Sequence, residues 1–251
     1  MTLLFRVAEL QREVQALKVL GRSFLDPSAT GVLSAVDSAL EQISVRQDGR
    51  SFTWEISPTW PLRTVVSHGE YQPGRSNGPA VHAAISFVWE ISPLRRPPAR
   101  RGPAPLVRLS GKASTVIRVF EGPPESPGGE LAMWRMEVAD PLSPGSYFHV
   151  QILGHQTSPP FPSSLDIPRL PGILVTPFAC TEFILAELFQ DRWREHADRD
   201  FRDVREWKGV QSARMLAQLD WHAKTVRDAS GSPWSAWKRE VPKEDLFIGR
   251  R

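Results

Sequence analysis

Ser51-Phe52-Thr53-Trp54-Glu55-Ile56-Ser57-Pro58 returns as Ser86-Phe87-Val88-Trp89-Glu90-Ile91-Ser92-Pro93, with a single substitution. Both copies alternate large apolar with small or polar residues, the period-two pattern of a strand with one buried face. Phe52, Trp54 and Ile56 share one side, as do Phe87, Trp89 and Ile91. A proline closes each copy where ladder hydrogen bonding should stop. The copies read either as a duplicated hairpin or as two similar edges of one sheet.

Outward from these copies, strand-like runs cover 50–57, 63–71, 80–92, 105–120, 129–139 and 146–154. Turn chemistry separates them, as in Pro73-Gly74 through Pro79, Gly122-Pro123-Pro124, Pro127-Gly128-Gly129 and Pro144-Gly145. Short connections favour an antiparallel meander. Before it, Leu3, Val7, Leu10, Val14 and Leu17 step by four and three, which predicts a helix over 2–20 with an a/d stripe and a stop at Gly21. Such a stripe docks on the body of the protein or pairs with a second copy. A second helix is expected from Ser28 or Thr30, burying Val32, Leu33, Val36, Leu40 and Ile43.

After the meander, a proline-rich crossing at 156–172 leads to Thr176-Pro177, a favourable cap and first turn for a helix burying Ile184, Leu185, Leu188 and Phe189. A last helix over about 203–228 is expected to bury Trp207, Val210, Met215, Leu216 and Leu219. An aromatic tail follows at 231–251. The order implies a single α+β domain over 1–251, with N-terminal helices, about six antiparallel strands, and C-terminal helices on one sheet face.

The 251 residues are 41% apolar, enough for a sizeable core. No run of about 18 apolar residues predicts a membrane span, and the N-terminus lacks the pattern of a secretory signal. Cys180 stands alone, which excludes an intrachain disulfide and a cysteine metal cluster and suits a reducing cytoplasm. A net charge of +3 does not by itself imply nucleic-acid binding. The preference for arginine over lysine is that of a GC-rich, bacterial genome.

Cys180 falls near the start of the helix opened by Thr176, where the dipole lowers a thiol pKa; its apolar neighbours Phe178, Ala179 and Phe183 favour packing instead. His149 alternates with Phe148 and Val150, so Tyr147, His149 and Gln151 form a polar stripe that could line a cleft against the C-terminal helices. Cys180 with His149 is the candidate nucleophile–base pair. His149 and His155 have no carboxylate at ligand spacing before Asp166, and no metal or cofactor is expected. Arg95, Arg96, Arg100 and Arg101 decorate a proline-containing loop suited to a phosphate backbone or an acidic partner. Trp234 and Trp237 make the tail a second candidate contact surface. No phosphate-binding glycine loop, dinucleotide fingerprint, nucleophile elbow or paired-histidine zinc motif occurs.

The order helix, antiparallel sheet, proline-containing crossing, cysteine and later helices resembles that of ubiquitin-conjugating-type domains. The resemblance is one of element order alone, since the His-Pro-Asn approach to the cysteine is absent; it would imply a thiol enzyme centred on Cys180. The leading expectation is a non-enzymatic, protein-binding subunit of a cytoplasmic bacterial assembly. The alternatives are that thiol enzyme and a nucleic-acid binder using the arginine loop.

Overall fold

The computed structural model describes residues 3–45, 50–72, 78–94, 105–138, 145–152, 169–173 and 175–248. Two long antiparallel strands, β5 (Ala80–Pro93) and β6 (Leu106–Glu121), form the spine of a mixed-length sheet. On the far side of β6 lie β7 (Glu130–Val138), β8 (Phe148–Ile152) and β9 (Arg169–Pro171), while β1 (Leu4–Arg6) pairs with the start of β6. Along the other edge of β5 run β2 (Phe52–Ile56), β3 (Leu62–Arg63) and β4 (Ser67–His68) in succession. Every pairing is antiparallel. With helices before and after the sheet, the fold is α+β.

The two octapeptides are neighbours rather than two edges. One is the edge strand β2, the other lies within β5, and they pair with each other about their tryptophans: Phe52 opposite Ile91, Trp54 opposite Trp89, Ile56 opposite Phe87. The repeat thus produces a local twofold relation in which each copy presents the same side chains to the other. Trp54 and Trp89 are fully buried, their rings edge-on at 5.7 Å. The indole N–H of Trp54 donates to the Val36 carbonyl at 3.2 Å, which satisfies the polar end of a core side chain. Opposite Glu90 the β5–β6 ladder bulges, and Gly111 fills the bulge. A Cβ there would lie 3.1 Å from that of Glu90, and the exposed Glu90 carboxylate would have to swing away, so the close approach favours glycine.

The face carrying the tryptophans is covered by α1 (Val7–Leu20), α2 (Ala29–Val45) and α3 (Pro177–Ala197). Leu10, Val14 and Leu17 of α1 are completely buried, and the ring of Phe5 just before it lies tilted against Trp89 at 5.1 Å. Thr176 caps α3, accepting the Ala179 amide at 3.1 Å, with Pro177 in the first turn as expected. At Gln190 the backbone turns to φ 41°, and the last turns of α3 swing so that Trp193 and His196 pack on Phe24 at 5.1 and 5.4 Å. α4 (Arg202–Arg227) lies across α1, and α5 (Pro233–Arg239) follows it. The tail then returns Phe247 to the core, 5.4 Å from Phe5.

Three expectations are corrected. Residues 4–6 begin no helix: they form β1, with Leu4 N–H donating to the Glu244 carbonyl and Leu109 N–H to that of Leu3, both at 2.8 Å. The strand expected over 63–71 is two short pieces, because Val65 N–H turns to the Phe24 carbonyl and the Asp26 N–H to that of Arg63, each at 2.9 Å. The end of the proline-rich passage is a strand, β9, paired with β8.

Candidate functional site

Cys180 sits one turn into α3, as its spacing from the Thr176 cap requires. It is fully buried and hydrogen-bonded with the Thr115 side chain, and burial pushes its pKa up to about 12. Desolvation of the thiolate outweighs the favourable helix terminus. The side chain packs as a small apolar group, without the accessible thiolate that a nucleophile needs.

His149 is also buried, but on the opposite side of the sheet. The alternation along β8 holds, yet it is Phe148 that meets the C-terminal helices, 5.5 Å from Trp221 and 6.3 Å from His222. The polar stripe expected against those helices therefore faces the other way. Tyr147 leaves the stripe, since β8 starts after it and its ring sits edge-on to Phe148 at 5.0 Å. His149 Nδ1 is 2.9 Å from the Ser146 carbonyl, and Nε2 is 3.2 Å from the Glu137 carboxylate opposite it on β7. Burial alone would raise the pKa of Glu137, but the His149 hydrogen bond and the Arg135 charge hold it below the usual carboxylate range. Next along the ladder, Arg135 Nε donates to Gln151 at 3.0 Å. With the sheet between them, Cys180 and His149 form no nucleophile–base pair.

Arg95, Arg96, Arg100, Arg101 and His155 lie outside the described residues. In the tail, Trp234 is exposed and stands edge-on to Trp237 at 5.2 Å; Trp237 is half-buried, 5.6 Å from His222. Among the described residues, no three His, Cys, Asp or Glu side chains cluster as a metal site, and no helix is long and apolar enough to cross a membrane.

What the sequence reading missed lies on α4. Trp207 and Val210 face inward as expected, but beyond them the helix reverses the expected sense. Arg214, Gln218, His222 and Thr225 are buried, while Met215, Leu216, Leu219 and Val226 are exposed, Leu216 to 60%. The inward polar residues have specific partners. Arg214 enters between two buried carboxylates of α1, pairing with Glu13 and lying 3.5 Å from Glu9, with its guanidinium 5.7 Å over the Phe5 ring. Glu13 also accepts the Thr176 hydroxyl at 2.8 Å, so α1, α3 and α4 meet in one polar cluster. Gln218 donates to the Gly172 carbonyl at 2.7 Å. Glu9 also pairs with Arg6 at 3.3 Å, but burying Glu13 requires the Arg214 cation, and this favours the side of α4 that carries it inward. The only sequence signal was two glutamates four apart beside the α1 stripe, a spacing common on solvated faces.

The reversal leaves a continuous seam in the open: Gly209, Ser212, Leu216, Leu219, Ala223 and Val226, all exposed and spaced by alternating threes and fours. This is the a/d repeat of a helix that pairs with another helix. On another flank of α4 a cleft of about 560 Å³ opens toward α5 and the tail, floored by Trp221, Ala236 and Leu246 and rimmed by Lys224, Asp228 and Lys243. No protein-family model, curated protein or solved structure matches this chain.

Proposed function

We propose that the protein is a non-enzymatic, protein-binding subunit of a cytoplasmic bacterial assembly, and that α4 is its contact element. The observation that carries the reading is the helix that buries arginine, glutamine and histidine while exposing leucine, methionine and valine. Exposed apolar side chains in a row on one helix face lose water favourably only when another surface covers them. The heptad spacing fits a helix as that surface. The buried Cys180 and the separated Cys180 and His149 support a role without thiol chemistry.

The test is affinity capture from the native extract, with and without nuclease treatment, comparing the wild-type protein with Leu216→Glu/Leu219→Glu. Both residues are exposed, so the double variant is expected to fold. Stoichiometric proteins recovered with the wild type and lost with the variant support the reading. A protein set identical for both removes α4 as the contact element, and recovery only of nucleic-acid-dependent material moves the function to the arginine loop.

A further inference from the structure

We infer that the α4 seam pairs with the α4 seam of a second copy of this chain, antiparallel, to form a twofold-symmetric dimer. The inference rests on the protein-binding reading and names its partner. The seam from Gly209 to Val226 is about 26 Å long at the rise of an α-helix. Laid antiparallel on its twin, it places Leu216 against Leu219 of the second copy and, by symmetry, Leu219 against Leu216. Ser212 then meets Ala223, and Gly209 meets Val226. The two large layers occupy the middle, and the small residues beyond them let the backbones approach. Nothing lies within 4 Å of a Cβ built on Gly209, so that end of the seam is open to an incoming side chain.

The charges beside the seam select the antiparallel direction. In this register Arg227 of each copy comes beside Glu206 of the other, once at each end of the contact. Glu206 already holds Arg202 one turn back at 3.0 Å, which orients its carboxylate along the helix surface. Asp220 comes beside Ala213, so no like charges meet on that flank. A parallel pair would leave Glu206 without a cation of the second copy. The heptad stripe of α1, the other candidate for self-association, is consumed within the chain: Leu3, Val7, Leu10, Val14 and Leu17 are all buried.

The experiment is sedimentation equilibrium on the full chain from about 1 to about 100 µM, the range in which a small interface associates. The expected result is a weight-average mass rising from 28.2 kDa toward twice that value. Leu216→Glu should hold the mass at the monomer value, with an unchanged circular dichroism spectrum. Arg227→Glu should weaken the dimer about tenfold, and adding Glu206→Arg should restore it. A monomer at every concentration, a dimer that Leu216→Glu leaves intact, or a charge exchange without rescue each overturns the inference. The two readings fail separately: a monomer whose capture of other proteins still depends on Leu216 and Leu219 ends the dimer and leaves the protein-binding reading standing.

Discussion

α1 and α4 carry the same kind of apolar repeat and treat it in opposite ways. On α1 the repeat is the core: Leu10, Val14 and Leu17 have no exposed surface. On α4 the repeat is outside, and the side turned to α1 is polar. The two facts are linked, because Glu9 and Glu13 flank the α1 stripe at positions that α4 covers, and Arg214 answers them. A heptad pattern therefore identifies a helix and a face. Whether that face points to the core depends on which buried polar groups must be matched.

The strongest way to break this contrast is to remove the residue that sets it. Arg214→Ala leaves Glu13 buried without its cation and Glu9 with Arg6 alone, and urea denaturation should show a loss of about 3–5 kcal/mol. Adding Glu9→Gln and Glu13→Gln should recover much of it, whereas equal loss in that background would mean Arg214 acts by packing alone.

Next comes a matched pair of truncations. Leu10→Ala on α1 should cost about 2–5 kcal/mol. Leu216→Ala on α4, measured on the monomer, should stay within about 0.5 kcal/mol. A cost above about 1 kcal/mol for Leu216→Ala would mean that the chain itself covers the seam.

A smaller effect is set by pH. Burial lowers the pKa of His82, His196 and His222; the hydrogen bond with the Gly122 carbonyl opposes this at His82, and the charge of Arg199 adds to the lowering at His196. The fold holds these rings neutral, so their contribution to stability is complete above the ordinary histidine value of about 6.5 and is lost as pH falls through that value toward the lower folded ones. The thermal midpoint should therefore drop between about pH 7 and about pH 5. A flat profile across that interval would contradict the burial of these rings.

The smallest effect has the opposite sign. Burial raises the pKa of Glu182, and the 2.7 Å hydrogen bond from the Trp207 indole and the charge of Lys208 only partly offset it. Above the ordinary glutamate value of about 4.3, folding thus bears the cost of charging this carboxylate. Glu182→Gln keeps an acceptor for Trp207 and should stabilise the protein at neutral pH, with the gain vanishing below about pH 4. Equal denaturation midpoints at pH 7 would show that Glu182 is well solvated.

Much of the fold was legible because it is written in short-range periodicity. The alternation around Trp54 and Trp89, the long runs of β5 and β6, and the Thr176-Pro177 start of α3 all appear where the residues indicate. What depended on partners distant in sequence was not legible. Residues 4–6 fit the start of a helix as well as a strand, and only the free edge of β6 decides for β1. His149 belongs to a polar stripe, but alternation does not say which side the helices take. On α4, the choice between Leu216 and Arg214 as the inward residue was made by two glutamates about two hundred positions earlier.

The repeated octapeptide has a consequence for refolding. Its native pairs, Phe52 with Ile91 and Trp54 with Trp89, are chemically those that two unfolded chains would make by joining β2 to β2, with Phe52 of one opposite Ile56 of the other and Trp54 opposite Trp54. The segment is complementary to itself, so in a crowded solution an intermolecular mismatch gains the same cross-strand contacts as the correct ribbon. Only the intervening chain, which tethers the two copies at high local concentration, favours the native choice. Dilution is thus the condition under which this sequence finds its own second copy before it meets a neighbour's.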